Sequence, residues 1–535
     1  MPLDQIIKSS NIIKSKNQSL INKYTANPRS KSISNIVKFL IENFSINITS
    51  DQDIINGYNH DWSNMEGFAD ALCRPLDTMQ CSIVMSLCYK LNIKMTISAG
   101  RTNLTGSATP NGGIIISVID MDDIGPIDQK KNNIKCSPGV YLEELRNNVN
   151  SKSNNTLEFP VDPTSRKEAM VGGAISCNAS GFIPGKKGAM RYWVDGLEFL
   201  LPNGELIYIN RNQYFSKNGE FFIENSDNKK ITLTIPSYER VDLKNASGPY
   251  SSNNGVMDII DLIIGSEGIF GCIVSATLKL DKKPTDYLNL FIKLKTEYEA
   301  FSLYSYTSDF LNGEMSLLRG FEYFGENCSK YMKNKEYFFD KNYQVAIYIQ
   351  IPIYNEEIDS VIEKWYQMLM KCEFINEDEQ ILSLNDSTSW KTFFDARHSI
   401  PANALQKSKK YMTSSIITDT IVPPSSFKKF INDTHKLIRK KNIEYLLFGH
   451  LGDCHLHFHL IPNKQNEDNA LECYHKIIEL SSYYGGVYSA EHGTGKRKKK
   501  DFIDCYGMTA VNQIIKCKES FDPKFLLNIG NVIDK

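Results

Sequence analysis

The sequence predicts an α+β protein of two or three domains, and three observations predict it. At 535 residues the chain is too long for one core, since single domains run to roughly 100–200 residues. From about residue 75 to 285, short apolar runs bounded by glycine-rich turns alternate with helical stretches. From about 286 to 500 the texture shifts to long amphipathic segments mixed with strands, which marks a second domain.

Taken in order, residues 1–69 read as an N-terminal helical lead-in and 70–285 as the first mixed domain. In the latter, Met79 to Leu91 is helical, while Ile93 to Ile97, Gly113 to Ile119 and Val274 to Leu280 have the length and apolar content of strands. Residues 286–500 contain a strand from Tyr343 to Ile353 and amphipathic helices from Glu356 to Cys372 and Ser426 to Lys440. Residues 501–535 hold one more helix and then Asp522-Pro-Lys-Phe-Leu-Leu-Asn528. No internal repeat interrupts this order.

Composition narrows the function classes. A formal net charge of −1 gives no bulk attraction for a polyanion, so nucleic acid is not expected as a partner. No apolar run approaches the roughly 18–20 residues of a membrane helix, and the polar N-terminus lacks a secretory signal. A cytoplasmic protein is expected. The basic run Lys496 to Lys500 leaves open a peripheral membrane or redox-partner contact, although such runs are more often solvated faces. The 12 cysteines are dispersed without a CxxC pair, as reduced, packed thiols are.

The first chemical signal is Ile97-Ser-Ala-Gly-Arg-Thr-Asn-Leu-Thr-Gly106. Residues this small let backbone N–H groups approach an anion. The loop is neither a Walker A sequence nor a GxGxxG before a helix, and an ordinary turn would carry the same residues. Three further segments join it: Phe159-Pro-Val-Asp-Pro-Thr164, Val171-Gly-Gly-Ala-Ile-Ser-Cys-Asn-Ala-Ser-Gly181 and Ile264-Gly-Ser-Glu-Gly-Ile-Phe-Gly-Cys-Ile-Val274. Each combines small residues with short polar side chains, which suits backbone contact with an extended cofactor.

These four segments, in this order, closely resemble the FAD-binding domain of the vanillyl-alcohol-oxidase (PCMH-type) FAD-linked oxidases, and within them the D-lactate and D-2-hydroxyglutarate dehydrogenase branch. The resemblance implies a two-subdomain FAD-binding domain, a cap or substrate domain built on an antiparallel sheet, and a C-terminal segment that returns to the FAD domain. It implies that the pyrophosphate lies on Ala99, Gly100, Arg101, Thr102, Asn103 and Leu104 with Thr105 and Gly106. It sets the isoalloxazine near Gly172, Gly173, Asn178, Ser180 and Gly181, with Glu267, Gly268 and Ile273 making further contacts. Pro160, Asp162, Thr164 and Asn528 belong to the same implied cofactor set. Arg101 stands where the family most often has glycine, and no histidine lies near residue 100 for a covalent flavin link, so FAD is expected to be non-covalent.

The second signal is a histidine cluster. Of nine histidines, four fall in Phe448-Gly-His-Leu-Gly-Asp-Cys-His-Leu-His-Phe-His-Leu460. At strand period, His455, His457 and His459 share one face, and Leu456, Phe458 and Leu460 the other. The alternative is a half-exposed strand whose polar positions happen to be histidine. A second piece, Ser489-Ala-Glu-His-Gly-Thr-Gly495, pairs a carboxylate with a histidine on a glycine-rich loop.

The resemblance implies that the two segments meet at the flavin. His450, His457 and Glu491 would then bind a divalent metal, zinc or manganese, with His492 as the catalytic base. Arg397, in Trp390-Lys-Thr-Phe-Phe-Asp-Ala-Arg397, matches the arginine that clamps the substrate carboxylate, and His459 and Lys498 match positions close to substrate. The family usually has asparagine where His455 and His459 stand. A family lysine is missing near Ser415, which favours a monocarboxylate such as D-lactate over a dicarboxylate. The implied activity is oxidation of a D-2-hydroxy acid by hydride transfer to FAD. The acceptor beyond it, whether quinone, cytochrome or flavoprotein, leaves no motif, and a homodimer is compatible with the sequence. Rival chemistries are an alkyl-dihydroxyacetone-phosphate-synthase-like transferase, a metal-dependent hydrolase and a flavin-binding protein without turnover.

Overall fold

The computed structural model describes residues 6–376 and 378–535. Two sheets build the first half. The smaller orders its strands as Asn47–Thr49, Ala71–Arg74, Ile114–Ser117 and Met95–Ser98, the last three parallel. Ile114–Ser117 is buried at every position, as a parallel strand covered on both faces must be, which explains its unbroken Ile-Ile-Ile. Helix Thr78–Leu91 links Ala71–Arg74 to Met95–Ser98 and starts where the Asp77 carboxylate accepts the Gln80 amide.

The larger sheet has eight strands, with Val194–Leu200 paired antiparallel between Leu206–Asn210 and Cys272–Lys279. Two four- and three-residue pieces of the N-terminal segment also belong to these sheets. Ile7–Ser10 inserts between Leu206–Asn210 and Glu220–Glu224, and Asn47–Thr49 pairs with Ala71–Arg74. The lead-in is thus part of the domain core. Such short strands carry too few residues for a periodic signal.

Residues 286 onward fold around a seven-stranded sheet, antiparallel throughout, in the order Ile381–Ser383, Asp286–Leu294, Val345–Ile353, Gly320–Phe324, Glu444–His450, His455–Ile461 and Ile416–Ile417. Helices Ile358–Leu369 and Pro424–Lys440 cover one face; the former buries Val361, Trp365, Met368 and Leu369, a stripe at helical spacing. Helix Ser387–Lys410 covers the other face through Phe393, Ala396, Ile400 and Ala404.

The chain leaves this sheet earlier than its composition suggests. By Ser489 it already touches the first half, where its carbonyl accepts the Ala246 amide. Helix Lys499–Phe521 packs Phe502, Ile514 and Cys517 into the core of the eight-stranded sheet. Leu527 then bridges in parallel to Met95, extending the small sheet by a short backbone pairing. No helix among the described residues is long and apolar enough to cross a membrane.

Candidate active site

Between the two halves lies a cleft of about 470 Å³, floored by the glycine-rich loops and roofed by the histidine strand and helix Ser387–Lys410. Ala99 to Leu104, Asp162, Thr164, Gly172, Gly173, Ser180, Gly181, Glu267, Gly268, Ile273 and Asn528 all line it. Pro160, Thr105, Gly106 and Asn178 do not. They sit behind the wall: the Thr105 carbonyl accepts the Lys496 and Arg497 amides, and the Asn178 side chain accepts the Arg191 amide and donates to the Asn245 carbonyl.

Two floor residues show why the loops have this composition. A Cβ on Gly100 would stand 2.1 Å from the Glu168 carbonyl oxygen, so the requirement there comes from a neighbouring loop. Arg101 has a φ of 55°, a left-handed conformation that favours glycine; its guanidinium lies 4.0 Å over the Tyr58 ring. Glu267 joins three segments: its buried carboxylate accepts from Ser107 Oγ at 2.7 Å and from the amides of Thr494 and Gly495, while its carbonyl accepts from Asn528 and Asn531.

In the roof, strands Glu444–His450 and His455–Ile461 form a hairpin that sets His450 opposite His455 and Phe448 opposite His457. Leu456, Phe458 and Leu460 enter the core on the far side, and all seven residues of His455–Ile461 are buried. A half-exposed strand is therefore excluded.

The three histidines have different fates. His457 donates Nδ1–H to the Thr418 carbonyl at 2.9 Å and turns Nε2 towards Glu491. His455 is bound to Asp419 at 3.1 Å, and burial with the nearby His457 lowers its pKa to about 3. His459 lines the cleft with no hydrogen-bond partner for Nδ1, and burial also lowers it to about 3.

Glu491 is the centre of the cluster. Its Oε1 lies 3.7 Å from His450 Nε2, 3.5 Å from His457 Nε2 and 3.6 Å from His492 Nε2. Its Oε2 is held by Ser180 Oγ at 3.1 Å and by the buried Lys244 Nζ at 3.3 Å. His450 Nδ1 lies 2.5 Å from Glu322 Oε1. Burial opposes a charge on His450, but Glu322 and Glu491 override it and raise its pKa to about 9. His492 stacks on His457 at 5.5 Å, and burial, outweighing Asp419, lowers it to about 4.

The residues fit a metal ion. Two donors on one tetrahedral ion stand about 3.4 Å apart for bonds of about 2.1 Å, close to the 3.5 and 3.7 Å found between Glu491 Oε1 and the two imidazoles. With Nδ1 of His450 and of His457 each bonded to an oxygen, Nε2 is the nitrogen that each ring turns inward, where an incoming cation would displace any proton it carries.

Sequence reasoning missed the layer behind the cluster: Glu322, Asp419 and Lys244. Asp419 is fully buried and accepts from Ser489 Oγ at 2.6 Å, the His492 amide at 2.9 Å and Lys498 Nζ at 3.1 Å. Burial opposes its charge, yet His492, Lys498 and His455 hold its pKa well below the usual carboxylate range. Lys498, expected near substrate, is committed to this acid and does not line the cleft. Arg397 does line it, paired through Nη2 to Glu322 at 2.5 Å and lying 4.3 Å over the Phe182 ring.

A glycine-loop floor facing a histidine–carboxylate roof defines a cofactor-binding oxidoreductase, and comparison with known proteins agrees. Residues 69–210 match the FAD binding domain family, and residues 329–532 match the family described as FAD linked oxidases, C-terminal domain. The chain thus carries, in order, the FAD binding domain and the C-terminal domain of FAD linked oxidases, the two parts of an FAD-dependent oxidoreductase. It is 24% identical to a D-lactate dehydrogenase of Anaerostipes hadrus over 90% of this chain and 94% of that one. It is likewise 24% identical to a D-2-hydroxyglutarate dehydrogenase of Stutzerimonas stutzeri over 91% and 96%. The fold resembles a 4-ethylphenol oxidase from Gulosibacter chungangensis, with a TM-score of 0.65 at 15% identity over 99% of each chain.

Proposed function

We propose that this protein oxidises a D-2-hydroxy acid, with D-lactate the first candidate, to the 2-oxo acid. His450, His457 and Glu491 hold a divalent metal, zinc or manganese, and His492 is the base. When bound, FAD supplies the acceptor for the C2 hydride and the metal supplies Lewis acidity at the substrate oxygens.

The protein's own groups do the rest. Arg397 meets the substrate carboxylate, and Phe182 beneath its guanidinium limits the plane it can adopt. His492 is kept neutral by burial, so it can accept the hydroxyl proton. Asp419 lies 3.5 Å from its Nδ1 and favours the tautomer with the proton on that side, leaving Nε2 as the acceptor. The buried carboxylate also stabilises the imidazolium that results. Pro401, Ile417 and Phe448 give the cleft wall an apolar part beside His459, which suits a short aliphatic side chain.

The geometry around Glu491 Oε1 is the observation that most supports this chemistry. It is tested by the anaerobic absorbance of the flavin-loaded protein during additions of D- and L-2-hydroxy acids. Bleaching by D-lactate and not L-lactate is expected. Flavin that no D-2-hydroxy acid bleaches removes the substrate class.

A further inference from the structure

Glu322 has no part in the chemistry above, yet it touches two groups that do. It lies at the middle of Gly320–Phe324, a strand buried at all five positions, between Phe321 and Tyr323. Its two oxygens serve different partners. Oε1 accepts from His450 Nδ1 at 2.5 Å, and Oε2 accepts from Arg397 Nε at 3.2 Å and Nη2 at 2.5 Å. Burial opposes a charge on Glu322, but His450 and Arg397 outweigh it and hold the carboxyl ionised.

Each contact restricts what its partner can offer the cleft. With Nδ1 bonded to Glu322, Nε2 is the nitrogen His450 turns to the cleft, and it faces Glu491. Glu322 also occupies the Nε–Nη2 edge of the guanidinium, so the Nη1 end is what remains for an anion, with Phe182 packed 4.3 Å away against the guanidinium plane. Neither the imidazole nor the guanidinium can turn without giving up a buried, charge-assisted hydrogen bond.

We propose that Glu322 is a positioning residue that couples the cation site to the carboxylate site: it fixes both the nitrogen His450 presents to a divalent cation and the edge Arg397 presents to a 2-hydroxy acid. This rests on His450 as a metal ligand and Arg397 as the substrate clamp. A 2-hydroxy acid would be gripped at both points, and one side chain sets the distance between them.

The test compares flavin-loaded wild type and Glu322→Gln by zinc competition with a chelating dye and by steady-state oxidation of D-lactate. Glutamine has one acceptor oxygen and a donor amide, so it cannot accept from both partners. Zinc affinity is expected to fall about 10–100-fold, and KM to rise about tenfold, with the flavin spectrum retained. Arg397→Met should raise KM without the zinc loss, and with zinc held saturating the double variant should have a KM no worse than Arg397→Met alone. Wild-type zinc affinity in Glu322→Gln overturns the coupling, as do KM effects that multiply in the double variant. If the glutamine variant loses flavin, Glu322→Asp keeps the buried charge but is too short to reach both partners; wild-type zinc affinity and KM in that variant would also overturn it. A wild-type protein that takes up neither zinc nor manganese removes the metal assignment and this role together. Zinc uptake that is indifferent to Glu322 removes only the role.

Discussion

The floor and the roof of the cleft face each other but are built from opposite materials. The floor is backbone: Gly100, Gly172 and Gly181 are small because the Glu168 carbonyl, Pro138 and Asp162, respectively, fill the space a Cβ would take. Its acids, the buried Glu267 and the partly buried Asp162, have their pKa values pushed up, because desolvation outweighs the hydrogen bonds and distant cations around them. The roof is side-chain charge: Glu322 and Asp419 are buried and Glu491 is partly so, and all three are held down by cations in contact. Burial alone does not fix the state of an acid; whether a cation comes with it does. A floor of backbone and small residues suits a large cofactor held by shape, and a roof of paired charges suits proton and metal chemistry.

The largest expected effect lies in the roof. His492→Ala should keep its flavin and slow bleaching by D-lactate about 10²–10⁴-fold, the usual contribution of a positioned base. Bleaching at the wild-type rate in stopped flow would leave the roof's charges a structural role only.

Next is the acid behind it. Asp419→Asn leaves the Lys498 ammonium buried without its counter-charge and weakens bonds to His455 and Ser489. A loss of about 3–5 kcal/mol in urea unfolding is expected, as for removal of one partner from a buried ion pair. Adding Lys498→Met should recover part of it. A loss within experimental error would mean the roof is no more charge-dependent than the floor.

The floor should fail sterically instead. Gly100→Ala sets a methyl 2.1 Å from the Glu168 carbonyl, whereas Gly173→Ala meets nothing closer than the Ala99 methyl at 3.1 Å. The first should cost about 1–3 kcal/mol as an overpacked site and lower the flavin occupancy of purified protein. The second should be milder on both counts, and equal effects would show that contact with the cofactor, not loop packing, sets these glycines.

This division also explains what the sequence revealed. Floor loops are read locally, because glycine and small polar residues cluster within each segment. The histidines were legible for the same reason, four of nine lying within ten residues. The layer behind them was not. Glu322 meets His450 across 128 positions, and Asp419 meets His492 across 73; nothing local announces either contact. A weaker signal did exist: Glu322 stands among aromatics in Gly320-Phe-Glu-Tyr-Phe324, and Asp419 within the largely apolar Ile416-Ile-Thr-Asp-Thr-Ile-Val422. A lone acid in such a run is buried, and a buried acid needs a partner. Lys244 had no such context and is seen only once Glu491 is in place.

The smallest effect probes the floor's acids by pH. Burial outweighs Arg146 and the Phe182 amide, so Asp162 titrates above its ordinary value when folded. An unfolded aspartate titrates near about 3.9. Between those two points the folded protein keeps a proton that the unfolded chain has released, so this group's stabilisation is present at lower pH and lost as pH rises through the window. Asp162→Asn cannot ionise and keeps an oxygen for the Phe182 amide, so its stability relative to wild type should improve from pH 4 to pH 7.5. The change should be at most about 1 kcal/mol, read from urea midpoints of the two flavin-loaded proteins. A variant that instead loses ground as pH rises would place Asp162 with the cation-held acids of the roof.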